Sequence, residues 1–71
     1  KANCANIARH LTDAITSGHF AVGDLLPTEI ELCAHYGTSR HTVRAALSEL
    51  QLQGLVSRRK NVGTRVESAR P

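Results

Sequence analysis

The sequence contains no tryptophan and no methionine, and only one phenylalanine and one tyrosine. A hydrophobic core formed by this chain must therefore be aliphatic, built from leucine, isoleucine, valine and alanine. With 71 residues the chain is long enough for one small domain. A domain of this size buries only about 60% of the surface that its unfolded chain exposes. We therefore expect a single domain with a small aliphatic core.

Long apolar runs are also missing from the sequence. No run approaches the roughly 18 residues that a membrane span requires, and no signal peptide is evident. We therefore expect a cytoplasmic protein without a membrane partner.

Cysteine is scarce, and Cys4 and Cys33 are too few and too far apart to suggest a disulfide framework. Four histidines accompany them, but the chain has no C-x-x-C motif, and Cys33-Ala34-His35 matches no common zinc spacing. Cys33 occupies a core position in the helical pattern, as a small apolar residue would. We predict neither a metal site nor a cofactor.

Charge is unevenly distributed along the chain. Residues 1–37 carry two basic and four acidic side chains, for a net charge of −2, whereas residues 38–71 carry seven basic and two acidic side chains, for a net charge of +5. A basic half of this kind favours an anionic polymer as partner, although a charge run can also be merely solvated.

The first part of the chain predicts a helix and a connector. The helix should start at an N-cap, Asn3 or Asn6, and run to about Ser17, with Gly18 as its stop. Its apolar stripe consists of Ile7, Leu11, Ala14 and Ile15. The connector spans residues 19–26, turns at Gly23-Asp24 and has room for a short strand before the second helix. Its expected apolar anchors are Phe20, Val22, Leu25 and Leu26.

The second helix opens with the T-x-x-E spacing of a capping box. Here Thr28 accepts a hydrogen bond from the amide of Glu31, and the Glu31 carboxylate accepts one from the amide of Thr28. Gly37 supplies the left-handed residue at the end of this helix. The inward side chains are expected to be Leu32, Cys33 and Tyr36, and Ile30, which falls outside this stripe, should be exposed.

The third helix is predicted from Ser39 to about Gln53, after a turn too short for anything but a steep change of direction. Helix, glycine-containing turn and helix form a helix-turn-helix. One face carries the apolar residues Val43, Ala46, Leu47 and Leu50, and the other carries Arg40, His41, Arg44 and Ser48. The amides and dipole of a helix start favour an anion, so the arginines suit a DNA recognition helix. A solvated face remains the alternative, with Arg44 paired to Glu29 or Glu49.

A two-stranded hairpin is predicted after Gly54. Residues 55–59 alternate as one strand, residues 60–63 as a turn and residues 64–67 as a return strand. A two-stranded hairpin is marginal on its own, so Leu55, Val56 and Val66 should pack it on the helices.

The expected fold is therefore mainly α with a small β-wing: a winged helix-turn-helix of three helices and a hairpin. We assign residues 1–67 to this domain and residues 68–71 to the start of a linker.

Particular motifs in the chain indicate a family. The chain carries G-D-x-L-P-T-E at residues 23–29, S-R-x-T-V-R at 39–44, G-L-V at 54–56 and G-T-x-V at 63–66. With these motifs it closely resembles the DNA-binding domain of the GntR family of bacterial transcription regulators. The resemblance covers roughly residues 7–66. The G-D-x-L-P-T-E motif that leads into the second helix is distinctive of that family. The resemblance implies that the partner is operator DNA and that the full-length protein binds it as a homodimer. It also implies a small-molecule effector, bound by a C-terminal domain that is absent from this chain.

The resemblance also implies roles for individual residues. Arg40 and Arg44 match recognition-helix arginines that contact bases and backbone, and Gly63 and Thr64 match the wing tip. Two positions depart from the family: Ile30 often corresponds to a basic residue, and the wing tip lacks a basic middle residue at Val62. The implied DNA-binding set is Thr28, Ser39, Arg40, His41, Thr42, Arg44, Lys60, Asn61, Gly63, Thr64 and Arg65.

Two other classes of function compete with DNA binding. A winged helix can serve protein–protein contact, but the basic C-terminal half argues against it. An enzyme is less favoured still, because no Ser/His/Asp, Cys/His or paired-carboxylate set is recognisable and so small a chain leaves little room for a substrate pocket.

Overall fold

The computed structural model describes residues 3–70. Within this range the chain forms three helices followed by an antiparallel hairpin, the winged helix-turn-helix that the sequence predicted. The elements are α1 (Cys4–Thr16), α2 (Glu29–Tyr36), α3 (Arg40–Leu52), β1 (Val56–Arg59) and β2 (Gly63–Val66). None of the helices in the described part is long and apolar enough to cross a membrane.

The starts of all three helices are capped by side chains. The Asn3 side chain accepts from the amide of Asn6, Thr28 from Glu31 and Ser39 from Thr42. Both halves of the predicted capping box on α2 are present, at 3.1 Å and 2.8 Å. The sequence left Asn3 and Asn6 open as the cap of α1, and the structure selects Asn3.

The turn between α2 and α3 is the three-residue segment 37–39. Gly37 has φ 63° and ψ 42°, the left-handed conformation that glycine adopts without a Cβ penalty, and its amide donates to the Cys33 carbonyl. The helix-turn-helix is thereby fixed by local chemistry at both sides of the turn.

An aliphatic core joins α1, α2, α3 and the base of the hairpin. As predicted, Leu55, Val56 and Val66 are buried and pack the hairpin on the helices. Phe20, Cys33 and Tyr36 are partly buried against this core. Its buried apolar residues are Ile7, Ala8, Leu11, Ile15, Leu26, Leu32, Val43, Ala46, Leu47, Leu50, Leu55, Val56 and Val66.

Three packing assignments from the sequence were wrong in detail. Val22 and Leu25 were expected as anchors of the connector but are 58% and 51% exposed. In α1, Ala8 is buried where the predicted stripe had Ala14, which is only half-buried. Since the connector is extended beside β2, its side chains alternate, and Leu26 turns inward while Leu25 turns outward.

The connector also provides the short strand left open by the sequence, as a single bridge. Leu25 bridges Arg65 in an antiparallel sense. The amides of Gly23 and Leu26 donate to the carbonyls of Val66 and Thr64, each at 2.8 Å. The Val66 amide donates to the Asp24 carbonyl at 2.9 Å. β2 therefore has hydrogen-bonded neighbours on both edges, β1 on one side and the connector on the other.

The residues after β2 form no helix or strand up to Arg70. The backbone directly after β2 is still anchored to the domain, because the amides of Glu67 and Ser68 both donate to the Leu55 carbonyl. The predicted domain and linker bounds at residues 1 and 71 lie outside the described residues.

Candidate nucleic-acid interface

The start of α3 presents polar side chains to solvent. Ser39 caps the helix by accepting from the Thr42 amide at 3.3 Å, and its hydroxyl also lies 3.1 Å from the Thr42 hydroxyl. Arg40 and His41 in the first turn are exposed, and Arg44 follows one turn later. Cations at a helix start are unfavourable towards the dipole on their own. A nearby anion offsets this unfavourable interaction.

That anion is the carboxylate of Glu29, in the first turn of α2. Its Oε1 accepts from Arg40 Nη2 at 3.3 Å and from Arg44 Nε at 3.0 Å, while Oε2 accepts from Arg58 Nη2 at 3.1 Å. Two of the three arginines come from α3 and one from β1, so one carboxylate of α2 links α2 to the recognition helix and the wing. We call Glu29, Arg40, Arg44 and Arg58 the arginine cluster.

The alternative reading of Arg44 as an ion-pair partner of Glu29 is therefore confirmed, and Glu49 instead accepts from Gln53 at 3.0 Å. The ion pairs do not withdraw the arginines from solvent, because the side chains of Arg40 and Arg44 remain 60% and 55% exposed. Ion pairing and a role in binding are thus compatible at both positions.

Charge around Glu29 shifts its titration. Partial burial alone would raise the pKa of this carboxyl, but the hydrogen bonds from Arg44 and Arg40 and the charges of Arg44 and Arg58 outweigh it. The pKa of Glu29 lies below its ordinary value of 4.5, so the cluster holds its anion at neutral pH.

Arg58 was missed by the sequence reasoning. In the hairpin register it faces Thr64, on the same side as the buried pair Val56 and Val66, so it points towards the helices rather than away from them. It also donates to the Ser48 hydroxyl of α3 at 3.3 Å. Two-residue alternation from Val56 was the signal that could have placed Arg58 on this face.

The wing turn adds further positive charge beside the cluster. The Val62 amide donates to the Arg59 carbonyl at 3.2 Å, and the turn uses left-handed backbone at Asn61, with φ 65°. Asparagine is one of the residues that tolerate this conformation. Lys60, Asn61 and Val62 are all exposed.

An open groove of about 570 Å³ runs between the N-terminus of α2, the start of α3 and the wing. It brings together many of the predicted DNA-binding residues with Glu29, Arg40 and Arg58 of the arginine cluster. Of the predicted set, the groove is lined by Thr28, Arg40, Lys60, Asn61, Gly63 and Thr64. Exposed apolar side chains of Leu25, Ile30 and Val62 lie along the same groove, and Ile30 is 70% exposed, as predicted.

The remaining predicted residues lie outside this groove. Ser39, His41, Thr42 and Arg44 follow one another along the first turns of α3. Arg65 is exposed and bridges Leu25, on the face of the hairpin opposite Arg58.

Thr64 is the least exposed residue of the predicted set. The residue is only 8% exposed, because the alternation of β2 turns Thr64 and Val66 inward while Gly63 and Arg65 face outward. Its side chain therefore lies on the core side of the wing, although the residue still lines the groove.

A second cavity, of about 700 Å³, lies between α1 and α2. His10, His19 and His35 line it, and His10 is hydrogen-bonded to the Tyr36 hydroxyl. Burial raises the pKa of that tyrosine above its ordinary value of 10.0. Over residues 3–70, no three histidine, cysteine or acidic side chains are arranged to hold a metal ion.

Comparison with known proteins identifies relatives of this chain. It is 41% identical over 64 residues to a probable fructoselysine utilization operon transcriptional repressor of Escherichia coli, covering 90% of this chain and 26% of the repressor. It is 44% identical over 48 residues to the probable transcriptional regulator PhnF of Escherichia coli, covering 68% of this chain and 20% of PhnF. The chain thus spans about a quarter of the length of the regulators it matches.

Solved structures match the fold. The DNA-binding domain of AraR, in complex with operator ORX1, superposes with a TM-score of 0.89 at 33% identity, covering 93% of this chain and 80% of that one. A putative transcriptional regulator GntR from Rhodococcus superposes with a TM-score of 0.84 at 35% identity, covering 92% of this chain and 31% of that one. The family model described as bacterial regulatory proteins, gntR family, matches residues 3–66. With nearly the whole chain matched and its motifs on the turn, recognition helix and wing, the chain belongs to the gntR family of bacterial regulatory proteins.

Proposed function

We propose that this domain binds double-stranded DNA in a sequence-specific manner, as the operator-reading domain of a bacterial transcription regulator. The observation that carries the proposal is the arrangement of Arg40, Arg44 and Arg58 on one face beside the basic turn at Lys60. The similar AraR domain was solved on its operator, which supports the same use of the fold here.

In the proposed complex, α3 enters the major groove with its N-terminal turns towards the base edges. Arg40 reads a base, because an arginine donates two hydrogen bonds to the O6 and N7 atoms of guanine. Arg44 divides its donors between base and phosphate. Ser39, His41 and Thr42 flank these arginines at the helix start.

The wing lies on the adjacent backbone or minor groove. Lys60 and Asn61 supply its contacts from the exposed turn, and Gly63 allows the backbone to bend there with φ 112°. Arg65 reaches a phosphate from the outer face of the hairpin.

The complete regulator is proposed to act in the cytoplasm as a homodimer on a two-fold symmetric operator, with a small-molecule effector bound by a further domain. The similarity to a probable repressor supports a repressor. The domain alone should bind one half-site weakly and remain monomeric, and two half-sites about 10 base pairs apart suit a two-fold pair.

A salt titration tests DNA binding directly. Affinity for a random-sequence duplex should fall steeply with salt, with a slope of log affinity against log salt of about −0.9 per phosphate contact. Arg44→Ala should make this slope shallower. Arg9→Ala, which removes an exposed arginine of α1 that does not line the groove, should leave it unchanged. An affinity that does not depend on salt concentration would refute the proposal and favour a protein partner.

A second measurement tests base reading by Arg40. Duplexes selected by the unmodified chain from a randomised library provide the specific ligand. Arg40→Ala should lower affinity for the selected duplex by about 5- to 150-fold, the loss expected for one good arginine–guanine pair. If Arg40→Ala binds the selected duplex normally while remaining folded, Arg40 does not read a base.

A further inference from the structure

Glu29 places a negative charge in the middle of a surface that is otherwise positive. Its side chain is 21% exposed, at the edge of the groove lined by Arg40 and Lys60. A carboxylate repels phosphates, so at this position it opposes the attraction between the domain and any duplex. A role in folding or in recognition must account for its position.

Folding depends little on the two ion pairs between Glu29 and the arginines of α3. Arg40 and Arg44 are more than half exposed, and ion pairs between such side chains contribute little to stability. The start of α2 is already secured by the capping box of Thr28 and Glu31, and the helices are joined by the aliphatic core.

The hydrogen bonds to Glu29 orient the three arginines but leave most of their N–H donors free. A guanidinium has five N–H donors. Each arginine offers Glu29 one nitrogen: Nη2 of Arg40, Nε of Arg44 and Nη2 of Arg58. Arg44 makes no other side-chain hydrogen bond within residues 3–70, so its two terminal Nη groups remain available as a fork. This fork is the part of arginine that pairs with two acceptors of guanine.

The cluster also fixes the arginines relative to one another. Oε1 holds the two arginines of α3, and Oε2 holds the arginine of β1, so the recognition helix and the wing share one anchor. A side chain held before binding loses less conformational entropy on binding. A partner that matches the fixed arrangement benefits from this, whereas phosphates on an arbitrary duplex accept an arginine in many positions.

We propose that Glu29 is a specificity-determining positioning residue, which weakens binding to arbitrary duplexes and holds Arg40, Arg44 and Arg58 in the arrangement that reads the operator. This role rests on the proposed function. It predicts that removing the carboxylate strengthens binding to the wrong DNA and reduces discrimination in favour of the right one.

Glu29→Gln in the 71-residue chain tests the proposal, because glutamine keeps the size and one oxygen acceptor but removes the charge. The probes are a duplex selected by the unmodified chain and a scrambled duplex of the same composition. For Glu29→Gln, affinity for the scrambled duplex should rise, because the charge that repels its phosphates is removed. The ratio of selected to scrambled affinity should fall by about fivefold or more, the low end for loss of one good base contact.

Two variants separate charge from position. Glu49→Gln removes the same charge from an exposed site on α3 whose carboxylate contacts Gln53. It should leave the ratio of affinities unchanged. Glu29→Asp keeps the charge but is one methylene shorter, so it should leave scrambled binding weak while still lowering the ratio. An unchanged ratio in folded Glu29→Gln, or an equal change in Glu49→Gln, would overturn the proposal.

Nuclear magnetic resonance of the unmodified chain keeps the test decisive if a variant does not fold. The Nε–H of Arg44 should be protected from exchange with water both in the free chain and on the selected duplex. Protection in the free chain that is lost on the selected duplex would show that Glu29 merely competes with DNA, and the proposal would fail. The proposed function fails separately, if the unmodified chain shows no salt-dependent binding to either duplex.

Discussion

Thr28→Ala should destabilise the domain through the start of α2. The Thr28 hydroxyl accepts from the Glu31 amide at 3.1 Å, and alanine leaves that amide without its partner. Replacing an N-cap threonine by alanine costs about 1 kcal/mol. The helix has only eight residues and Leu32 is its one fully buried residue in the described chain, so packing can do little to compensate.

A loss of this size should be easy to measure in so small a domain. For a chain of 60–100 residues, 1 kcal/mol shifts the melting temperature by about 4–8 °C. Circular dichroism should show this decrease for Thr28→Ala. Thr28→Ser is the matched control, since serine caps as well as threonine, and should melt within about 2 °C of the unmodified chain.

Hydrogen exchange locates the effect within the chain. In Thr28→Ala the amide of Glu31 should exchange faster, whereas amides in the middle of α3 should change only as much as the global stability does. If Thr28→Ala and Thr28→Ser melt at the same temperature, the capping box does not stabilise α2 and the reasoning is refuted.

Three further outcomes are expected. Ile30→Arg should add one phosphate contact and so steepen the slope of log affinity against log salt by about 0.9. Val22→Arg, at a position exposed outside the groove, should leave the slope unchanged. Equal slopes for the two variants would show that Ile30 does not face the DNA. Leu50→Ala should cost about 2–5 kcal/mol and leave little folded domain by circular dichroism, while the exposed Leu52→Ala should stay within about 0.5 kcal/mol. Folding lowers the pKa of the Glu29 carboxyl. Its contribution to the free energy of unfolding is therefore complete above the pKa of the unfolded chain and is lost as pH falls through the pKa of the folded domain. The urea midpoints of the unmodified chain and of Glu29→Gln should accordingly converge below pH 4.5.

Sequence reasoning predicted what local chemistry determines. The T-x-x-E spacing placed the start of α2, and the turn residue Gly37 placed its end. The helical pattern of α2 put Ile30 on the outside, where the structure has it. Such features involve residues at most four apart, so their spacing alone carries the information.

Features that depend on tertiary packing were missed or misplaced. The contact between Glu29 and Arg58 joins residues 29 positions apart, and no local pattern announces it. Leu25 and Leu26 are adjacent and chemically alike, so only the path of the connector along β2 decides which one is buried. Thr64 was assigned to the interface by resemblance, and the alternation of β2 adds that its side chain turns inward while the residue lines the groove.

The hydrogen bonds on both edges of β2 determine how the domain can move. The connector that pairs with β2 continues directly into the N-cap of α2, so the base of the wing and the helix-turn-helix are tied within a few residues of chain. A hinge between them would have to break the bonds from Gly23, Leu26 and Val66 together. The domain should therefore approach a partner as one rigid body, with freedom retained mainly at the turn of residues 60–62. Any mismatch in curvature between the two contact regions must then be accommodated by bending of the DNA, at a deformation energy that depends on its sequence.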